Sequence, residues 1–221
     1  MSMHLQREIE SLKKMILGLS AMAEESVRKA VQSLVARDAD LAQEVGEADL
    51  QIDEAEVQVE EECLKILALH QPVAGDLRFI VSVLKINNDL ERIGDLAVNI
   101  AKRASFLCQY PDAGIPFDLN SMCQKSTEML RLSLDALMRM DPDCAQEVLT
   151  LDDQVDQINR DMYGQVISAI KADPEKTDIL LSYLSASRHL ERIADYATNI
   201  AEDVIYTARG WIVRHGIAQP E

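Results

Sequence analysis

The chain has 221 residues and a formal net charge of −16; hydrophobic residues make up 48% of it and aromatics only 4%. An acidic surface of this kind repels phosphate backbones and anionic lipid headgroups, which argues against direct binding to nucleic acid or to an anionic lipid surface, and with no long apolar run direct membrane insertion is not expected. Ala, Leu, Ile, Val and Met dominate while Gly and Pro are sparse, a composition that predicts helices packed on helices rather than an all-β or α/β plan.

The first predicted helix runs from about Leu5 to Arg37, where Leu12, Met15, Ile16, Leu19, Met22, Ala23, Val27, Ala30, Val31 and Leu34 recur at steps of three and four. Asp38 and Asp40 then offer N-caps for a second helix over roughly Leu41–Leu69. Gln71-Pro72-Val73-Ala74-Gly75 interrupts it, and a third helix extends to about Tyr110. Pro111 to Pro116, with Gly114 inside it, is the expected linker. Helix four begins near Asp118 and ends near Met140. Asp141-Pro142 opens helix five with a cap followed by proline at the first helical position. Asp173-Pro174 repeats that device for helix six, which ends near Arg209 before Gly210.

The six segments are two copies of three. Leu90-Glu91-Arg92-Ile93-Gly94-Asp95-Leu96-Ala97-Val98-Asn99-Ile100-Ala101 returns 100 residues later as Leu190-Glu191-Arg192-Ile193-Ala194-Asp195-Tyr196-Ala197-Thr198-Asn199-Ile200-Ala201, identical at nine of twelve positions. Ala42-Gln43-Glu44-Val45 returns as Ala145-Gln146-Glu147-Val148 at an offset of 103. The expected fold is therefore all-α: two tandem three-helix bundles of long antiparallel helices related by internal duplication, with repeats over 1–112 and 118–221.

The repeated segments carry paired carboxylates, Glu91 with Asp95 and Glu191 with Asp195. The preceding helix of each unit supplies a second pair, Asp49 with Asp53 and Asp152 with Asp156. Residues four apart share one helix face, so each unit can bring four carboxylates together from two antiparallel helices. Such oxygen-rich sets suit Mg, Ca, Mn or iron, whereas zinc more often recruits His or Cys. Measured against the apolar stripe, Glu91 and Asp95 lie roughly 130° to 170° away and Asp49 and Asp53 roughly 80° to 120° away, which predicts an outward-facing, partly exposed site. Asn99 and Asn199, one turn beyond each Asp, are either additional ligands or helix cross-links. The competing reading is ordinary solvated charge: Arg92 can pair with Asp95, and Arg192 with Asp195, for only about 0.2–0.5 kcal/mol each. That reading gives no reason for the same pairs to recur in both units.

Catalytic patterns are absent from the sequence. His4, His70, His189 and His215 have no Glu three residues before them, as a di-iron carboxylate enzyme requires. There is no Gly-rich phosphate loop, nucleophile elbow or zinc-protease motif. Cys63, Cys108, Cys123 and Cys144 form no Cys-x-x-Cys pair and are expected to be small buried hydrophobes in a reducing compartment. Met1 to Glu10 lacks the apolar core of a signal peptide, and no stretch approaches the roughly 18 apolar residues of a membrane span, so a cytoplasmic protein is expected.

Gln71-Pro72-Val73-Ala74-Gly75-Asp76-Leu77-Arg78 and Asp89-Leu90-Glu91-Arg92-Ile93-Gly94-Asp95 resemble the central stretch of the PhoU family. Leu190-Glu191-Arg192-Ile193-Ala194-Asp195 with Asn199-Ile200-Ala201-Glu202-Asp203 resembles that family's second repeat. The resemblance covers nearly the whole chain. It implies a non-enzymatic cytoplasmic regulator, commonly a homodimer, that restrains phosphate uptake and phosphate-starvation signalling. The partners it implies are the ATPase subunit of a phosphate ABC transporter and a phosphate-sensing histidine kinase. It also implies multivalent metal ions (iron clusters, Mg, Mn or Zn) held by Asp49, Asp53, Glu91, Asp95, Asp152, Asp156, Glu191 and Asp195. The Pro-Val-Ala-Gly-Asp-Leu-Arg turn has no copy in the second unit, where Asp173-Pro174-Glu175 stands, so any role of that turn is asymmetric. A metal-free helical adaptor and a metal-dependent hydrolase stay open as alternatives.

Overall fold

The computed structural model describes residues 3–110 and 118–210, and those residues are helical apart from short turns. The helices are α1 (Met3–Ala36), α2 (Ala39–His70), α3 (Ala74–Leu107), α4 (Leu119–Arg139), α5 (Pro142–Ala172) and α6 (Thr177–Arg209). The expected linker, Pro111 to Pro116, lies outside the described residues, as do Gly216 and His215.

Each helix forms because its apolar residues fall on one face. In α1, Leu5, Ile9, Leu12, Ile16, Leu19, Ala23, Val27, Ala30 and Leu34 are all buried. Two of the three buried serines on that face bond their own helix: Ser20 Oγ donates to the Ile16 carbonyl at 2.8 Å and Ser33 Oγ to that of Ala30 at 2.8 Å. A fully buried Leu or Ile contributes about 1.5–3 kcal/mol, so stripes of this length outweigh the modest propensity differences among the residues between them.

Local chemistry sets the turns. Asp38 caps α2 by accepting from Leu41 N at 3.0 Å, while Asp40 sits inside the first turn rather than capping. Gln71 ends α2 in the left-handed region, and Pro72 follows it. Asp118 caps α4 and Asp141 caps α5, with Pro142 at the first helical position. The sixth helix departs from expectation. Asp173-Pro174 opens a single 3-10 turn over Pro174–Lys176, with no side-chain cap bond from Asp173, and α6 starts only at Thr177. Gly210 takes φ +82 and donates its N–H to the Tyr206 carbonyl at 2.8 Å, ending α6.

α1, α2 and α3 pack mutually as one bundle and α4, α5 and α6 as the other. The bundles meet along α3 and α6, with α1 against α4 beside them. Thr207, near the end of α6, donates to Ser82, near the start of α3, at 2.7 Å, and Lys85 pairs with the buried Asp203 at 3.3 Å. At the opposite end, the Arg103 charge reaches His189, so α3 and α6 run antiparallel. At the top of the first bundle the Arg37 guanidinium bonds the Leu107 and Tyr110 carbonyls, placing a cation on the C-terminal end of α3.

Cys63 and Cys123 are buried as expected, but Cys108 and Cys144 are only half-buried. Those two sit at helix ends, Cys108 just after α3 and Cys144 in the first turn of α5, where the apolar seam opens to solvent.

Candidate functional site

The motif helices α3 and α6 are the central pair, and each lies beside the second helix of its own bundle. Antiparallel packing sets the order of charges across the seam. As α2 descends through Asp49, Asp53 and Glu56, α3 ascends through Glu91 and Asp95. Asp49 accordingly feels the charges of Asp53 and Asp95, and Glu91 feels those of Asp95, Asp53 and Glu56. In the second bundle Asp195 feels Glu191, Asp152 and Asp156, and Glu191 feels Asp156 and Asp152. The eight predicted carboxylates thus form two groups of four, one per bundle.

The groups are less outward than the helical angles predicted. Asp53, Asp95 and Asp195 are exposed by surface area, although the Asp195 carboxyl is enclosed closely enough by neighbouring atoms to be partly desolvated, and Asp49, Glu91, Asp152, Asp156 and Glu191 are half-buried. The angle was measured from one helix's own stripe, and the neighbouring helix covers part of the flank. Asp49 shows this directly, since its Oδ1 lies 3.6 Å from where a Cβ on Gly94 would stand, across the α2–α3 contact.

Burial is the largest cause of raised carboxyl pKa values at Asp49, Glu91, Asp152, Glu191 and Asp195, and mutual repulsion adds to it. Asp195 is pushed up to about 6. Cationic and hydroxyl neighbours relieve the repulsion in part. Arg92 approaches Glu91 and Asp95 at 3.4 Å each, and Arg160 approaches Asp156 at 3.7 Å. Thr198 Oγ1 donates to Asp152 at 3.4 Å. Asn99 and Asn199 are half-buried one turn beyond Asp95 and Asp195. Among the described residues, no three His, Cys, Asp or Glu side chains are already gathered as a ligand shell. The donor set itself consists of carboxylate oxygens, which is the chemistry that suits a hard multivalent cation.

Two participants escaped the sequence reading. Glu56 continues the Asp49/Asp53 row, and its carboxyl pKa is also raised, by burial and then by Glu60 and Asp53. Asn87 Nδ2 holds it, donating to Glu56 Oε1 at 2.9 Å and to its carbonyl at 3.0 Å. In the second bundle that pairing becomes Ser187 Oγ to Asn159 Oδ1 at 3.2 Å, without the acid. Thr198 likewise stands where the first unit has Val98. Because both positions differ between repeats, matching the two units conceals them; the spacing of Glu56 after Asp49 and Asp53 was the available signal.

His189 is half-buried near Ser185, and burial, then Arg103, Arg192 and Arg188, lower its pKa. It faces the bundle interface rather than either carboxylate group. A groove of about 640 Å³ lies where α1 meets α4, lined by Val31, Val35, Cys123, Arg28 and Arg131, away from the carboxylates.

A family model described as PhoU domain matches residues 16–104 and 119–204. A phosphate-specific transport system accessory protein PhoU homolog of Pseudomonas putida is 39% identical over 215 residues, covering 97% of this chain and 84% of that one. The corresponding homolog of Aquifex aeolicus is 36% identical, with 96% of each chain covered. Among solved structures, PhoU from Pseudomonas aeruginosa superposes with a TM-score of 0.89 at 38% identity, over 93% of this chain and 99% of that one. The phosphate transport system regulatory protein PhoU from Streptococcus pneumoniae gives 0.86 at 30% identity, over 95% and 99%.

Proposed function

This chain belongs to the PhoU family, and from that premise we propose that it is a cytoplasmic regulator of phosphate uptake and phosphate-starvation signalling whose two carboxylate groups hold multivalent cations. A role in phosphate transport rests on relatives, named as accessory proteins of the phosphate-specific transport system, that align over 84% and 96% of their own length. The expected partners are the ATPase subunit of the phosphate ABC transporter and the phosphate-sensing kinase, with the regulator acting as a homodimer.

One observation carries the cation reading: each repeat sets two carboxylate pairs on facing helices of one seam, where Asp49, Glu91, Asp152, Glu191 and Asp195 are penalised first by burial and then by their acidic neighbours. Asp49, Asp53, Glu91 and Asp95 would hold ions in the first bundle, and Asp152, Asp156, Glu191 and Asp195 in the second. A bound cation supplies charge neutralisation and a cross-link between the two helices of each seam. Asn99 and Asn199 would be additional ligands of that shell, and Arg92, Arg160 and Thr198 partly offset the negative charge without it. The chain's own residues are given no catalytic step in this account.

The test is complementation in a bacterium lacking its own copy, read by a phosphate-starvation reporter in phosphate-rich medium. The wild-type chain is expected to repress the reporter, and a variant with all eight carboxylates replaced by Asn or Gln is expected to leave it on. Full repression by a stably folded eight-site variant would leave the metal-free adaptor reading in its place. Failure of the wild-type chain to repress would remove the regulatory one.

A further inference from the structure

The outer face of α2 carries an apolar row that the bundle does not use. Leu50, Val57 and Leu64 stand seven residues apart and are 64%, 49% and 54% exposed. Seven residues are close to two helical turns, so the three side chains line up along about 21 Å of helix. Each is large and apolar, and each points away from the buried stripe of Val45, Ile52, Val59, Cys63 and Ile66.

Acidic residues border the row on both sides. Asp49, Asp53, Glu56 and Glu60 flank it towards α3, and Glu47, Glu54 and Glu61 flank it on the far side. Over its length α2 carries ten Asp and Glu against a single Lys, Lys65, which is paired with Glu62 and Glu8.

The duplication provides an internal control. At the corresponding positions of α5 the second bundle has Asp153, Arg160 and Ile167, so two of three apolar residues are replaced by charges. The same helix, in the same place in the same fold, does without the row. Packing therefore does not explain it.

We propose that this face of α2 is a docking surface for a basic amphipathic helix of a partner protein, which lays an apolar stripe on Leu50, Val57 and Leu64 and sets Lys or Arg against Glu47, Glu54 and Glu61 on one border and Glu56 and Glu60 on the other, Asp49 and Asp53 being reserved for the proposed cation. The inference rests on reading the chain as a regulator that works through protein contacts. Charge decides the occupant. A second copy would bring acidic borders against acidic borders, which like-charge repulsion opposes. An anionic lipid surface is repelled for the same reason. A helix with an apolar seam and basic flanks satisfies both features at once, as in other helix-in-groove recognition. The site is confined to the first bundle.

The probe is a synthetic 24-residue helical peptide with Leu along one seam and Lys on both flanks, compared with a peptide of the same seam flanked by Glu. Binding to the full chain is measured by fluorescence anisotropy at about 150 mM salt, where exposed charge alone is largely screened. The basic peptide is expected to bind and the acidic one not. Leu50→Gln/Val57→Gln/Leu64→Gln should weaken binding about tenfold or more, and Glu54→Lys/Glu61→Lys by a similar factor. These positions are exposed, so circular dichroism should be unchanged, and Ile167→Gln on α5 should leave affinity at the wild-type value. Affinity unaffected by the α2 triple variant would overturn the proposal, as would equal binding of both peptides. Conversion of a dimer to monomer by the triple variant would overturn it in favour of a second copy. Adhesion of the wild type but not the triple variant to phosphatidylglycerol vesicles would overturn it in favour of lipid. Metal content, measured on the same samples, should not change in the triple variant; loss of metal from wild type and variant alike would count against the cation reading and leave the docking result standing.

Discussion

A methyl group on Gly94 would stand 3.2 Å from both Cγ2 and Cδ1 of Ile52, so the absence of a side chain at 94 is what lets that isoleucine seat across the α2–α3 contact. In the second bundle the equivalent pair is Ala194 and Val155: one methyl is added and one methylene removed. Each repeat keeps the volume of this contact, and the Asp49 carboxylate lies beside it in the first.

Gly94→Ala alone is therefore expected to destabilise. Overpacking costs about 1–3 kcal/mol, and the gain of roughly 1 kcal/mol from replacing a helical glycine offsets only part of it. Combined with Ile52→Val, which recreates the second bundle's pair, the alanine should become neutral or stabilising. A double-mutant cycle by urea unfolding checks this, and additive effects would show that the two side chains do not share one space.

Asp195 gives the metal-free protein a pH dependence of defined sign. Its carboxyl titrates near 3.8 in an unfolded chain and at about 6 in the folded one, so between those values the native state holds a proton that the unfolded state has released. Its contribution favours folding below about 3.8 and is lost as pH rises to about 6. Asp49, Glu91, Asp152 and Glu191 are shifted in the same direction. Asp195→Asn should raise the melting temperature of chelator-treated protein at about pH 7.5, and the gain should shrink at about pH 4.5. A gain independent of pH would show that the carboxylate is not under strain.

The thiols should separate into two classes. Burial pushes Cys63 and Cys123 up to about 12, so neither forms a thiolate at ordinary pH while the protein is folded. Titration with an aromatic disulfide at about pH 8 should modify Cys108 and Cys144 first and reach the other two only on denaturation. Rapid reaction at all four positions would mean that the bundles open readily.

Much of this was legible in the chain. Steps of three and four located the helices, Asp38, Asp118 and Asp141 marked their starts, and the repeat of Leu90–Ala101 at 190–201 announced the duplication. That repeat picked out Glu91, Asp95, Glu191 and Asp195, and the 103-residue offset between the preceding helices picked out Asp49, Asp53, Asp152 and Asp156. What escaped depends on neighbours. The half-burial of Asp49 and Glu191 comes from the adjoining helix, which a single-helix angle does not contain. Glu56 and Thr198 belong to one repeat each, so comparison of repeats could not find them. The α2 row of Leu50, Val57 and Leu64 emerged only once the buried stripe was known and these residues stood outside it. The late start of α6 reflects Asp173, whose side chain makes no cap bond, so that Pro174 begins a tight turn instead of the helix.

The most direct test of the central claim is the metal content of the full chain, purified without chelators or a histidine tag and measured by elemental mass spectrometry. The comparison is with Glu91→Ala/Asp95→Ala/Glu191→Ala/Asp195→Ala. The account predicts multivalent metal in stoichiometric amount in the wild type and its loss in the variant. Equal, sub-stoichiometric metal in both would contradict it and reduce the two carboxylate groups to solvated charge.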